Sequence, residues 1–391
     1  RLFFFSGKGG LLSLQGAGIS YVSFSDLNFP IKHRCLIGFT LFSMFFGAGN
    51  LIFPPLLGAQ AGRDTLLAMA GLGLTAVLLP ILSVMAVAPP DGPTKLGGSI
   101  HPVLAGLFAV FFHLMIGPCV AIPRTASTSF EMAVAPFLHN SDQTLFLIRC
   151  VYSFVFFTVA IMIALKPTHL KDLLGKIMTP VLLVLIAVTF FGVLVKLPAL
   201  FAAPNAYYAE HPIRSGFITG YQTMDILAAY NFGTVISMNI GSFGITDKKA
   251  VASETIRAGI MAGIMLIIVY GATSYIGAVC SVDFPGAQNG AEILTWAVKA
   301  CYGIYGQLII GAIFFIACFN VCVGLLCCCA TFFHELLPKI SYVAWLIIFA
   351  VSSFVISSAG LNFILTMSLP VLQIMCPVAI LITVYGLIRK P

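Results

Sequence analysis

Apolar residues run in blocks of about twenty along almost the whole chain, and polar or charged residues are confined to short interruptions. Blocks of that length match the roughly 20 helical residues needed to cross the hydrocarbon of a bilayer. The pattern predicts ten spans, over residues 35–57, 66–87, 102–122, 145–165, 177–197, 218–240, 256–279, 304–333, 341–356 and 361–388, each closed by proline, glycine or charge. Two of these are discontinuous. Phe46-Gly47-Ala48-Gly49-Asn50, followed by Pro54-Pro55, interrupts the first. Gly216 through Gly220-Tyr221-Gln222-Thr223-Met224-Asp225 interrupts the sixth at a comparable place. Five spans (35–200) followed by five (201–391), each half opening with a broken helix, predict an inverted repeat folded around a shared central site. Residues 1–34 stand outside the two halves and receive no role.

Composition removes the soluble alternatives. Of 391 residues, 60% are hydrophobic and 8% charged, against roughly 25% charged in an ordinary soluble domain, and the mean hydropathy is +1.05. A soluble globular enzyme is excluded, and function must sit inside the membrane. The formal charge of +7 is scattered through short loops, so nucleic acid is not an expected partner and lipid is. The loop charges report topology instead. With the N-terminus inside, fourteen of the twenty lysines and arginines fall on the cytoplasmic side, and the other six are Arg63, Arg124, Arg149, Lys196, Arg214 and Lys299. That balance predicts an even number of spans with both termini cytoplasmic. Five of the eleven cysteines, Cys318, Cys322, Cys327, Cys328 and Cys329, share one apolar run. No C-x-x-C pair among them is joined to histidines at zinc spacing, so reduced, helix-packed thiols are expected. A start at Arg1 instead of Met suggests an incomplete or processed chain.

The chemistry concentrates at the breaks. In hydrocarbon an unwound segment survives only where it lines a cavity or binds something. Gly47 and Gly49 let a ligand approach the backbone, and the half-helix that follows offers free N–H groups and a positive dipole end to a carboxylate. A zwitterion suits such a site, with its ammonium taken by the oxygens of Tyr221, Gln222, Thr223 and Asp225. The competing reading of Gly47 and Gly49 is a small-residue packing seam between helices. Asp225 lies in an otherwise apolar span, where an ionised carboxylate costs at least about 2.5 kcal/mol. It is either a cap on the half-helix that begins near Thr223 or a direct ligand or proton carrier. Arg124 and Glu131, seven residues apart, share a helix face and are expected to form a gate or structural ion pair. No Ser-His pair or paired aspartates sit within spans, and His113 stands alone, so an intramembrane hydrolase is not expected.

These stretches together resemble the branched-chain amino acid:cation symporters, the LIVCS or BrnQ-type family. Phe39-Thr40-Leu41-Phe42-Ser43-Met44-Phe45-Phe46-Gly47-Ala48-Gly49-Asn50-Leu51-Ile52-Phe53-Pro54-Pro55 is similar to that family's first-helix signature. Gly117-Pro118 with Ala121 to Ala126 and Ser129-Phe130-Glu131 resembles its third-helix motif, and Gly220 to Asp225 with Ala228-Ala229 its sixth. The resemblance implies a carrier of leucine, isoleucine and valine, driven by sodium or protons, on an all-α, LeuT-like 5+5 scaffold with broken first and sixth helices. The family usually has two adjacent threonines in the eighth helix where this chain has Asn320-Val321, and it usually continues through two more helices than this chain carries.

On that basis Gly47, Ala48, Gly49 and Asn50 are expected to take the substrate carboxylate. Tyr221 and Thr223 close the other side, and Ile116, Phe217 and Phe232 line a side-chain pocket. Phe46 and Ala48 carbonyls, Asp225 and Asn320 are expected to hold the coupled cation, Na+ or H+, with no other cofactor. The altered eighth helix leaves a second reading open, a sensor that binds an amino acid on the same scaffold without transporting it.

Overall fold

The computed structural model describes residues 2–6, 10–15, 18–23, 30–87, 102–138, 142–245, 247–284 and 289–388. Arg1, Lys8, Lys95, Arg389 and Lys390, all counted in the charge balance, lie outside them. Ahead of the first helix, β1 (Leu2–Ser6), β2 (Gly10–Gln15) and β3 (Gly18–Ser23) form a three-stranded antiparallel sheet in sequence order, with Leu2 opposite Leu14 and Gln15 opposite Gly18. The sequence reading gave this segment no structure; its runs rich in Leu, Phe, Ile and Val, separated by glycines, suit strands.

Everything else in the described chain is helical or connecting. The first half holds α1 (Ile31–Phe45), α2 (Ala48–Ala61), α3 (Thr65–Gly73), α4 (Leu79–Val87), α5 (Pro102–Leu114), α6 (Ala121–Ala133), α7 (Asp142–Ala164) and α8 (Thr179–Lys196). The second holds the short α9 (Ala206–Ala209), then α10 (Pro212–Tyr221), α11 (Asp225–Gly241), α12 (Lys248–Val279), α13 (Gly290–Tyr302), α14 (Ile304–Leu336), α15 (Tyr342–Ser358) and α16 (Leu361–Ile388). Helix starts are fixed by side chains where the sequence offers them. Asp247 accepts the Ala250 N–H at 3.0 Å to open α12, and Ser341 accepts the Ala344 N–H at 3.2 Å to open α15.

Among the described residues, six helical stretches are long and apolar enough to cross a membrane: Ala48–Met85, Ala109–Phe137, Gln143–Ala164, Pro167–Lys196, Lys249–Val279 and Ile304–Leu336. The first and sixth predicted spans are each split in two, and the second part of the first runs on into the second predicted span as Ala48–Met85. Tyr342–Ser358 is a shorter apolar helix, and α16 is a 28-residue helix with Pro370 and Pro377 inside it. The third span also differs from its predicted end at 122. It bends through a π-helical turn, Met115–Cys119, with Gly117 at φ −75° and ψ −113°, and then resumes as α6 to Ala133. Pro118 supplies the cause, since it lacks the N–H that would carry the helix across.

The outward surface is apolar. On α7, Leu147, Val151, Phe154 and Met162 are each more than half exposed, a stripe at helical spacing that favours lipid over water. Inside, helices approach through small residues. Where α2 crosses α12, a Cβ at Gly58 would overlap the Ser274 carbonyl and one at Gly277 would overlap that of Pro55. The two backbones are therefore in direct contact, the arrangement that replaces hydrophobic association inside a bilayer.

Candidate functional site at the paired helix breaks

The first break is two residues long. Phe46 ends α1 in extended geometry (φ −77°, ψ 94°), and Gly47 (φ −126°, ψ −159°) opens α2. The second covers Gln222, Thr223 and Met224, between α10 and α11. Met224 takes the left-handed conformation at φ 66°, alone in this among the described non-glycine residues, and its strain is held by packing, since the side chain is buried. Thr223 Oγ1 donates to the Gly220 carbonyl at 2.9 Å and ties off the end of α10.

One side chain connects the breaks. Asn50, in the first turn of α2, accepts the Gly47 N–H on Oδ1 at 3.1 Å. Its Nδ2 donates to Asp225 Oδ2 at 2.6 Å, at the first residue of α11. Tyr270, from the middle of α12, donates its hydroxyl to the same Oδ2 at 2.9 Å and also meets Asn50 Nδ2. All three are buried. Asp225 thus starts a half-helix, where a carboxylate suits the dipole, and is bound from two other helices at once. The sequence reading missed Tyr270, although a hydroxyl in the middle of an apolar helix at membrane depth needs a partner and was the available signal.

Between the breaks lies a cavity of about 30 Å³, in the measure by which one water needs roughly 10–15 Å³. Its walls include Gly47, Ala48, Gly49 and Asn50 from α2, Ile116 beside the third-span kink, Thr223 and Asp225 from the second break, and Arg124. Ala48 and Gly49 present first-turn N–H groups that a helix leaves without a carbonyl four residues back. A Cβ at Gly49 would overlap the Arg124 guanidinium, which would have to shift, and one at Gly47 would overlap the Val321 side chain. A wider, apolar groove of about 860 Å³ lies beyond Tyr270, walled by residues such as Leu66, Leu74 and Ile267 that belong to the exposed apolar surface.

Five of the predicted substrate and ion residues do not line the cavity. Phe217 packs edge-on against Tyr221 at 5.3 Å, and its carbonyl accepts from Thr75 Oγ1 at 2.9 Å. The break begins only after Tyr221, so both aromatics stay on the closed last turn of α10, which packs on α3. Phe232 stands one layer back, edge-on to Phe45 at 5.1 Å. Phe46 stacks on Phe42 at 5.2 Å and on Tyr270 at 6.3 Å, so its side chain backs the break. Asn320 is buried with neither amide atom bonded to a described partner. The residue of α14 that reaches the break is its neighbour Val321, with Leu325 one helical turn further on.

The expected Arg124–Glu131 pair is also corrected. Glu131 Oε1 takes Arg149 Nη2 from α7 at 2.9 Å, whereas Arg124 turns to the cavity. Seven residues of helix rise about 10.5 Å, and each side chain meets a nearer neighbour than the other. Arg124 is accordingly no loop charge: it is 5% exposed.

A model of the family described as "Branched-chain amino acid transport protein" matches residues 31–391. The branched-chain amino acid permease BraB of Bacillus subtilis (strain 168) is 36% identical over 363 residues, covering 92% of this chain and 81% of that protein. The branched-chain amino acid permease BrnQ of the same organism is 36% identical over 347 residues, covering 88% and 78%. Among solved structures, Mhp1, a nucleobase-cation-symport-1 family transporter in a closed conformation with bromovinylhydantoin bound, aligns with a TM-score of 0.53 over 89% of this chain and 77% of its own, at 14% identity. That likeness concerns the fold alone and places the helices in the LeuT-like class. With a family match from the first helix to the last residue and permeases at 36% identity over most of their length, the chain belongs to the branched-chain amino acid transport family, multi-pass membrane carriers and not enzymes.

Proposed function

We propose that this chain imports leucine, isoleucine and valine by alternating access, coupled to sodium or protons, with its termini cytoplasmic and two five-helix halves closing on the cavity between the breaks. The observation that carries this reading is the buried Asn50–Asp225 bond, because it brings two unwound backbones, a carboxylate and a helix N-terminus to one point. Ala48 and Gly49 N–H groups receive the substrate carboxylate, Asp225 and Thr223 face its ammonium, and Ile116 borders its side chain. A cavity of about 30 Å³ is far too small for leucine, so the halves must part to admit it, which is what alternating access requires. A pocket of this kind separates isoleucine from valine by one methylene, about 1–3 kcal/mol, and a class of branched aliphatic substrates follows. One coupled charge gains about 2.3 kcal/mol per 100 mV, enough for roughly fifty-fold accumulation.

The test is leucine uptake into liposomes holding the purified protein, under an imposed sodium gradient, a proton gradient, or neither. Accumulation under either gradient supports the carrier. The sensor remains a second reading because Val321 sets an aliphatic side chain against Gly47. Leucine binding without driven uptake would select it.

A further inference from the structure

Every arginine of the described chain that is buried or partly buried has a carboxylate, except one. Arg34 is bound by Glu254 and Arg149 by Glu131. Arg124, at 5% exposure, makes no side-chain hydrogen bond and no ion pair with any described residue. It shares the cavity with Asp225, yet the two form no ion pair, and Asp225 Oδ2 is already taken by Asn50 and Tyr270. An unpaired buried guanidinium is expensive. This one is pressed against Gly49 in the first turn of α2, where the helix dipole adds further positive potential. The two features reinforce each other, and the Asp225 carboxylate answers them only through space, with no described carboxylate in contact with the guanidinium.

We infer that Arg124 is the carboxylate clamp of this carrier. Resting on the transport reading above, the inference is that its planar fork and the Ala48 and Gly49 N–H groups grip one carboxylate from two sides. A guanidinium meets a carboxylate through two parallel hydrogen bonds, a geometry a lysine ammonium does not reproduce. The ligand class is thereby narrowed: a free α-carboxylate is required. With Arg124 on one wall and Asp225 on another, the cavity is polarised to match a zwitterion, and the apolar Ile116 and Leu325 are left for its side chain. Gly49 gains a second role, since only a residue without Cβ lets the guanidinium lie against the helix end.

The experiment measures displacement of labelled leucine from the purified full chain by leucine and by leucinamide, which lacks the carboxylate, in wild type, Arg124→Gln and Arg124→Lys. Wild type is expected to prefer leucine over leucinamide by about 10- to 100-fold, the range of one charge-assisted contact. That preference is expected to collapse toward unity in Arg124→Gln and to be partly kept in Arg124→Lys. A side chain that merely supported the fold would lower both affinities together and leave the ratio unchanged. Wild-type discrimination retained in Arg124→Gln overturns the clamp alone. Leucinamide competing as well as leucine in the wild type overturns it too, and needs no variant should Arg124→Gln misfold. If the wild type binds no leucine, the transport reading falls and the clamp with it.

Discussion

Asn50 Nδ2 donates to Asp225 Oδ2 at 2.6 Å across 175 residues of sequence, and that contact fastens the start of one half-helix to the start of another. Because Asn50 also accepts the Gly47 N–H, both ends of its amide are engaged, and no smaller residue replaces both bonds. Asn50→Ala is expected to leave a buried carboxylate with one fewer donor, at about 1.5–3 kcal/mol for a bond to a charged group. Leucine uptake in proteoliposomes should fall at least about tenfold while size-exclusion profiles stay normal. Asp225→Asn keeps the shape and removes the charge. If protons drive uptake it should abolish accumulation under a proton gradient while leucine counterflow persists at an affinity lowered by the lost charge opposite the ammonium, and full proton-driven accumulation by this variant would remove Asp225 from coupling.

Gly49 lies against the Arg124 guanidinium and the Thr223 backbone. One methyl group there must displace one of them, and the backbone of the second break is the less mobile. Gly49→Ala is therefore expected to push Arg124 out of the cavity and to cut leucine affinity roughly tenfold or more, since overpacking of such a site costs about 1–3 kcal/mol. The same change at Gly73, where nothing stands within 4 Å of a Cβ, should be silent. Equal effects at the two positions in a binding assay would mean that the loss is general to the fold.

Much of this architecture is legible in the sequence, because bilayer spans and helix breaks are local properties. Length of apolar run marks 145–165 and 304–333, and glycine with polar neighbours marks both interruptions. Partners are not local. Arg124 and Glu131 stand on one helix at a pairing interval, but Arg149 of α7 is nearer to Glu131 and the cavity is nearer to Arg124. Tyr270 could be suspected of needing a partner, yet nothing in α12 says that the partner is Asp225. A single-residue phase decides Asn320 against Val321: neighbours on a helix differ by about 100° in direction, and only the crossing of α14 over the first break selects Val321.

In the first turn of α1, Arg34 is held by Glu254 of α12, which accepts it through both carboxylate oxygens, at 2.7 and 3.0 Å, and also accepts Arg257 at 2.5 Å. Glu254 is 7% exposed, so this pairing is shielded far better than an exposed one. It locks the first half-helix to the helix that carries Tyr270. Glu254→Gln is expected to lower stability by about 1.5–3 kcal/mol, seen as an earlier melting transition in detergent, and to leave leucine affinity of the folded fraction unchanged. Glu131→Gln, which removes the more exposed Arg149 pair, should cost less than about 1 kcal/mol.

Val321 occupies the point where α14 meets Gly47, and its side chain offers no oxygen to a cation held at the break. Threonine has nearly the same shape and adds one hydroxyl at that point. If break carbonyls hold sodium here, Val321→Thr supplies another ligand, and the sodium concentration for half-maximal leucine uptake should fall by roughly fivefold, the equivalent of about 1 kcal/mol. If protons drive uptake through Asp225, the added hydroxyl lies outside the coupling step and sodium dependence stays absent. Uptake measured against sodium at fixed pH, in wild type and Val321→Thr side by side, separates the two. A steeper sodium response in the variant makes the break the ion site, whereas a flat response in both, with accumulation under a proton gradient, assigns the coupling to the Asp225 carboxylate.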